Sequence, residues 1–318
     1  MWYYAARRVL MTIPIALGIT IICFSLVYIA PGDPLASLLP PSATAADIVY
    51  LRHAYGFDLP VPIQYLLWLG RALHGDLGKS IQNSQPVITE VLRALSNTVL
   101  IAVLAVLLAF TVALILGVIA AYRQGSAVDR LATAVSVLGI SVPSFWLGVV
   151  LVIIFAVQLH WLPATGMGTS GSESFSLFDW SQAKYAILPV FTMALTPIGI
   201  IMRTTRSSLA EVLGQDFIQT LRAKGLSESA IMRHAIRNAA PQILAMLGLQ
   251  LGYLIGGSIL VETIFTWPGT GYLLNKAILT RDIPLLQGGI LILAMVFVAI
   301  NLIVDLMQTL VDPRIKRT

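Results

Sequence analysis

Cysteine is all but missing from this chain. Cys23 is the only one in 318 residues, so no internal disulfide can form, and a small buried apolar role suits it best. Charge is scarce as well: Asp, Glu, Lys and Arg together make up 11% of the residues. Soluble domains carry about 25%, so this chain cannot cover itself with a solvated surface. Histidine is limited to His53, His74, His160 and His234, with no HExxH spacing, which argues against a metalloenzyme site. Gly78-Lys79-Ser80 imitates the tail of a phosphate-binding loop, but Leu73 stands where the motif needs its first glycine. Ser141 and Ser258 lie in apolar runs with no histidine beside them, so a serine nucleophile would lack its base. No catalytic constellation remains, and no metal or cofactor set belongs to the chain itself.

What is present is apolar. Hydrophobic residues make up 57% of the chain and the mean hydropathy is +0.85. Six stretches, 9–30, 98–121, 131–157, 187–205, 243–261 and 285–310, are each long enough to cross a bilayer. They predict an all-α integral membrane protein with six transmembrane helices. Arg7 and Arg8 precede the first stretch as they would a signal peptide. That stretch is too long for such a segment and no small-x-small cleavage site follows it, so an uncleaved first span is expected. The apolar run 61–70 is short and reads as interfacial or loop structure.

Basic residues orient the spans. With the N-terminus inside, the cytoplasmic set is Arg7, Arg8, Arg123, Arg130, Arg203, Arg206, Arg222, Lys224, Arg233, Arg237, Arg314, Lys316 and Arg317. Only seven of the 20 basic residues fall on the other side, four of them in the long 31–97 loop, which is largely exempt from the rule. Both termini are then cytoplasmic, and the net charge of +5 reflects topology rather than nucleic-acid binding. The chain divides into 1–30 (N-terminal segment and first span), an extracytoplasmic loop region 31–97, and a five-helix core 98–318. Short helices are expected near 45–55, 63–73 and 87–95, and a flexible Ser/Gly-rich middle in 159–185. The turn Trp267-Pro268-Gly269-Thr270-Gly271 suggests an interfacial aromatic.

Within the spans, Pro143, Pro189 and Pro197 are expected to interrupt the third and fourth helices. Gly248, Gly252 and Gly256 recur every four residues and form one close-packing face, for another helix or for a second subunit. Glu262, closing the fifth span, and Asp305, late in the sixth, are the candidates for pathway or gating. Both are expected near a hydrated interface, where a structural role is the simpler one.

The most informative segment is the polar one between the fourth and fifth spans. Asp216 followed by Gln219 suggests a capping-box start, Gly225 a left-handed stop, and Ser227 the cap of a second short helix running to Pro241. Two capped, basic helices on a chain otherwise committed to lipid imply a soluble partner; a loop resting on anionic headgroups is the plainer alternative.

These residues resemble the permease subunits of bacterial dipeptide/oligopeptide ABC importers, a family with nickel and glutathione members. The resemblance lies in Gln219-Thr220-Leu221-Arg222-Ala223-Lys224-Gly225-Leu226-Ser227-Glu228 followed by His234-Ala235-Ile236-Arg237-Asn238-Ala239-Ala240-Pro241, which looks like the family's EAA loop. Gly75-Asp76-Leu77-Gly78, Pro86-Val87, Val261-Glu262-Thr263-Ile264-Phe265 with Pro268-Gly269, Asn301-Leu302 with Asp305, and Asp312-Pro313-Arg314 extend it over the whole chain. Gln219, Thr220 and Leu221 replace the consensus Glu-Ala-Ala, and the stretch from Gly225 to Pro241 is longer than the general pattern. The resemblance implies a type I ABC importer permease fold in the bacterial inner membrane. It implies a homologous second permease, two cytoplasmic ATPases that use ATP and Mg, an extracytoplasmic solute-binding protein and a peptide substrate. The coupling loop would be 206–242, with Asp216, Gln219, Thr220, Arg222, Ala223, Lys224, Gly225, Ser227 and Glu228 facing the ATPase. An ion-coupled secondary transporter or a membrane scaffold are the other classes, but the chain has no evident repeat and few intramembrane carboxylates.

Overall fold

The computed structural model describes residues 2–29, 44, 53, 58–168 and 175–311. The helix expected near 45–55 (apart from residue 53), the Ser/Gly-rich stretch 169–174 and the Asp312-Pro313-Arg314 run lie outside them.

Eleven α-helices follow one another among the described residues: α1 (Trp2–Ile29), α2 (Val61–Leu73), α3 (Val87–Tyr122), α4 (Ala127–Ser141), α5 (Ser144–Leu151), α6 (Trp180–Leu213), α7 (Asp216–Ala223), α8 (Glu228–Gly257), α9 (Ile259–Ile264), α10 (Thr270–Thr280) and α11 (Ile283–Val311). A π-helical turn, Val152–Gln158, extends α5. Helices α1, α3, α6, α8 and α11 are long and apolar enough to cross a membrane, and α4 with α5 makes a sixth crossing if that bent pair is one span.

That pair covers the third span expected over 131–157, and the break falls at Pro143, where an interruption was expected. The chain turns by 96° between Ser141 and Ser144. Pro143 is the cause: it has no amide hydrogen to continue the ladder, and it holds Val142 extended at ψ 121°. Pro189 and Pro197, expected to interrupt the next span, lie inside the continuous helix α6. Both are buried, and packed neighbours let the helix continue past the missing hydrogen bonds. The second span begins earlier than expected, because 87–95 is the first part of α3 rather than a separate fragment. The proposed boundary at residue 97 therefore falls inside a helix. The run 61–70 is also helical, as part of α2, and packs on α1 through Phe24, Tyr65 and Trp68.

Helices α3 and α6 form the most extensive pair, and their sequences explain why. Along α3, Ala102, Ala105, Ala109, Ala113 and Gly117 recur every three or four residues and are buried. Small residues at that spacing let two backbones approach, which drives helix association where acyl chains compete for every apolar contact. A Cβ added at Gly117 would lie 2.7 Å from Thr205 Cβ. On the other side of α6, Ser136 Oγ donates to Gly199 O at 2.6 Å, and a Cβ at Gly199 would meet Ser136 O at the same distance. The glycine stripe of α8 is also spent within the chain, on α11. Gly248 lies against Val304 and Gly252 against Phe297, while Gly256 faces open space.

Gly199→Ala is expected to lose about 1–3 kcal/mol of stability, because the new methyl meets backbone and cannot be accommodated by a rotamer change. Gly256→Ala should be neutral. Unfolding of the two variants in detergent, followed by circular dichroism, separates them; equal stability would contradict this packing.

Candidate functional site

Five polar constructions stand out among the described residues of an otherwise apolar bundle. The first is the corner between α7 and α8. Helix α7 has its N-cap at Gln215, not at Asp216, and no side chain caps it. Asp216 is instead the first helical residue, where a negative charge still favours the helix N-terminus. The corner is held by Ile218 and Ile231, both fully buried beside Leu209 and Val212 of α6.

Gly225 makes the turn, with φ at +77°. Its amide donates to Arg222 O at 2.9 Å and that of Leu226 to Leu221 O at 3.2 Å, the pairing of a Schellman stop. Ser227 is the N-cap of α8, but its hydroxyl pairs with Ser229 Oγ rather than with a backbone amide. Helix α8 does not end at Pro241, as the two-short-helix reading expected; it runs on to Gly257. The corner is thus the end of a membrane-spanning helix. Arg222 and Glu228 pair across the turn at 3.1 Å, and that hydrogen bond raises the guanidinium above its ordinary value. Phe217, Gln219, Thr220, Arg222, Ala223, Lys224 and Gly225 are exposed on the outer surface of the corner.

The second construction lies near this end and was not legible as a pair. Asp129, in the first turn of α4, receives Arg206 Nη2 of α6 at 2.8 Å and Gly125 N at 2.9 Å, with a further contact from Arg206 Nε. Nearby, Ser208 Oγ donates to Gln242 Oε1 at 2.8 Å and ties α6 to α8. The only sequence signal was Ser126 three residues before Asp129, a helix-start spacing that is realised: the Asp129 amide donates to Ser126 Oγ.

Third, Arg8 Nε of α1 donates to Asp305 Oδ2 of α11 at 2.6 Å. Asp305 is engaged in fastening the first helix to the last.

The fourth is at the opposite end of the bundle and corrects the expectation for Glu262. Its side chain is fully buried rather than hydrated. Oε1 accepts from Ser258 Oγ at 2.6 Å and Thr98 Oγ1 at 2.8 Å; Oε2 accepts from the amides of Gly271 and Tyr272 at 2.7 and 3.1 Å. Those two amides open α10, whose own cap position, Gly269, has no side chain to offer. Glu262 caps α10 from outside and links it to α3 and α9. Gly269 and Gly271 are required there, since a Cβ on either would lie within about 2.5 Å of Glu262, Thr98 or Ile259 atoms. Trp267 is likewise buried rather than interfacial, donating through Nε1 to Asn97 O at 3.1 Å.

Asp282 was missed altogether. It is fully buried, takes Ser80 Oγ at 2.5 Å, and caps α11 through Leu285 N at 3.2 Å. It therefore fixes the 75–86 turn, Gly78-Lys79-Ser80 included, onto the start of α11.

This arrangement has known counterparts. The sequence profile of the "Binding-protein-dependent transport system inner membrane component" family matches residues 113–317, and the corresponding N-terminal profile matches 1–102. The chain belongs to this family. It is 39% identical to the "Dipeptide transport system permease protein DppB" of Alkalihalophilus pseudofirmus, over 98% of this chain and 99% of that one. It is also 39% identical to the "Oligopeptide transport system permease protein AppB" of Bacillus subtilis, with 98% and 99% covered. Among solved structures, a chain of the inward-facing MetNI methionine ABC transporter superposes with a TM-score of 0.59 at 17% identity, covering 72% of this chain and 99% of that one. The chain is a multi-pass membrane permease with the type I ABC importer fold. The family profile spans both the α7–α8 corner and the Glu262 hub.

Glu262→Ala strands three buried donors, from Thr98, Ser258 and Gly271, and the half-buried Tyr272 amide, at a cost of about 3–5 kcal/mol. It should sharply reduce the folded permease recovered from membranes, with Glu262→Gln intermediate. A Glu262→Ala protein that folds normally but fails only in transport would make this carboxylate a pathway residue instead.

Proposed function

We propose that this permease forms half of the translocation pathway of an ATP-driven, binding-protein-dependent importer of dipeptides or oligopeptides. It sits in the bacterial inner membrane with both termini cytoplasmic. Its partners are a second, homologous permease, two cytoplasmic ATPases that use ATP and Mg, and an extracytoplasmic binding protein that delivers the peptide. The chain contributes no catalytic residue of its own.

One observation carries this reading: the α7–α8 corner is exposed on its outer surface, yet α8 is itself a span and α7 follows the span α6 after only Gly214 and Gln215. Ile218 and Ile231 are buried in the same core as α6, and α8 has no break between Glu228 and Gly257. A soluble motor that pushes on Arg222, Ala223 and Lys224 moves α6 and α8 with them. Coupling needs differential contact in two states, and a stiff lever transmits that difference where a loose loop would absorb it. Asp216, Gln219, Thr220, Arg222, Ala223, Lys224, Gly225, Ser227 and Glu228 form the ATPase-facing surface within 206–242. The working core is 98–318, extended at its start to include all of α3.

Peptide is preferred over nickel or glutathione because the relatives named above are dipeptide and oligopeptide permeases. An ion-coupled mechanism has less support. Glu262 is saturated by four donors, and Asp305 is paired with Arg8, so neither is positioned as a proton or cation carrier.

Gly225→Pro should abolish ATP-dependent peptide uptake while leaving the subunit in the membrane. Proline fixes φ near −65° where +77° is needed, and it removes the amide that closes the turn. Uptake by proteoliposomes holding the assembled complex is the measurement, and wild-type rates in the variant would exclude the corner as the coupling element.

A further inference from the structure

At the end of the bundle opposite the α7–α8 corner, a cleft of about 470 Å3 opens between the 80–85 turn, the start of α3 and α10. Gln82, Asn83 and Gln85 form one wall, Arg93 another, and Tyr272 and Lys276 the third. The frame of this cleft is rigid. Asp282, in its floor, holds the turn through Ser80 and Gln82, and Glu262 fixes the N-terminus of α10 to α3.

The rim has the opposite character: Gln82, Asn83, Gln85, Arg93 and Lys276 are all exposed. Ser84, at φ 60°, sits between the lining residues Asn83 and Gln85, while Arg281 at 54° is the left-handed C-cap that ends α10 beside Asp282. Backbone like that at Ser84 concentrates where a surface is shaped for an occupant.

The charges select the occupant. Two carboxylates line the cleft, and both are engaged: Asp282 is fully buried on its donors, and Glu90 Oε1 accepts from Asn83 Nδ2. Lys276 has no ion-pair partner among the described residues. The uncommitted charge is therefore positive. A free short peptide is a zwitterion, and its ammonium group would find no carboxylate here. An acidic side chain carried on an extended protein segment meets no such mismatch; Gln82 and Asn83 are tied to Thr280 O and Glu90, and the Gln85 amide on the rim can hydrogen-bond its main chain.

Given the importer reading, on which this rests, this end faces the binding protein. We propose that the cleft seats an acidic, extended segment of that protein. Its carboxylate lies at Lys276, on the side of Arg93, and its backbone runs along Gln82, Asn83 and Gln85.

The test uses the complete complex in nanodiscs and its own fluorescently labelled binding protein, without ATP. Lys276→Glu should raise the dissociation constant for docking about tenfold, Lys276→Arg should preserve it, and added salt should weaken docking to the wild type. Lys184→Glu, at the same end but outside the cleft, should change nothing. An unchanged dissociation constant in a folded Lys276→Glu complex overturns the proposal. So does loss of radiolabelled peptide binding with docking intact, which would make the cleft a substrate site. Failure of the importer reading is distinct: the wild-type complex would then show no ATP-dependent uptake whatever the docking result.

Discussion

Apolar contact cannot tell a neighbouring helix from a lipid tail, so a membrane bundle is held in register by close backbone approach and by polar ties that lipid cannot offer. In this permease the ties converge on carboxylates. Glu262 gathers α3, α9 and α10, and Asp282 joins the 75–86 turn to α11. Asp129 binds α4 to α6, and Asp305 binds α11 to α1. The three buried ones, Glu262, Asp282 and Asp129, are each satisfied, because an unpaired charge at such depth would cost several kcal/mol, on the order of 3–5 for a broken pair. The small-residue seams along α3 and α8 then need only fill the space between fixed points.

The two ends of the bundle are built differently, and the difference matches their proposed work. Where α7 meets α8, apolar side chains bury the inner side of a corner whose outer surface is polar and exposed. That arrangement suits a lever that a soluble partner grips and releases. At the far end, buried carboxylates freeze three short elements into a platform whose rim carries Lys276, which has no ion-pair partner among the described residues. A platform of that kind suits repeated docking by a partner whose position must be reproduced at each encounter. Between the ends, α6 runs unbroken from Trp180 to Leu213 despite two prolines, so a displacement at one end need not be dissipated before reaching the other.

Much of this was legible in the residues. Hydropathy located the five long spans, and Gly225 marked its own left-handed turn, because only glycine takes that conformation without strain. The long spans were readable because a bilayer imposes length and apolarity on each one separately. Three features escaped. Pro143 marked a break in the third span, but the 96° angle of the bend after Ser141 has no signature in the apolar run, since hydropathy is blind to direction. Pro241 suggested a helix end where none exists, because packed neighbours can hold a helix past a missing hydrogen bond. Glu262 and Trp267 looked interfacial because each borders a span, but the chain folds Thr98 and α10 over them.

The sequence by itself determined the solvent this protein lives in, the existence of its spans and the family that its motifs resemble, since these depend on composition and local pattern. Only the tertiary structure decided which partner each polar side chain meets. Asp129 finds Arg206 across 77 positions, Ser80 finds Asp282 across 202, and Arg8 finds Asp305 across 297. Pairings at such separations carry no local signature, because they are chosen by the way the helices pack and not by any residue's immediate neighbours.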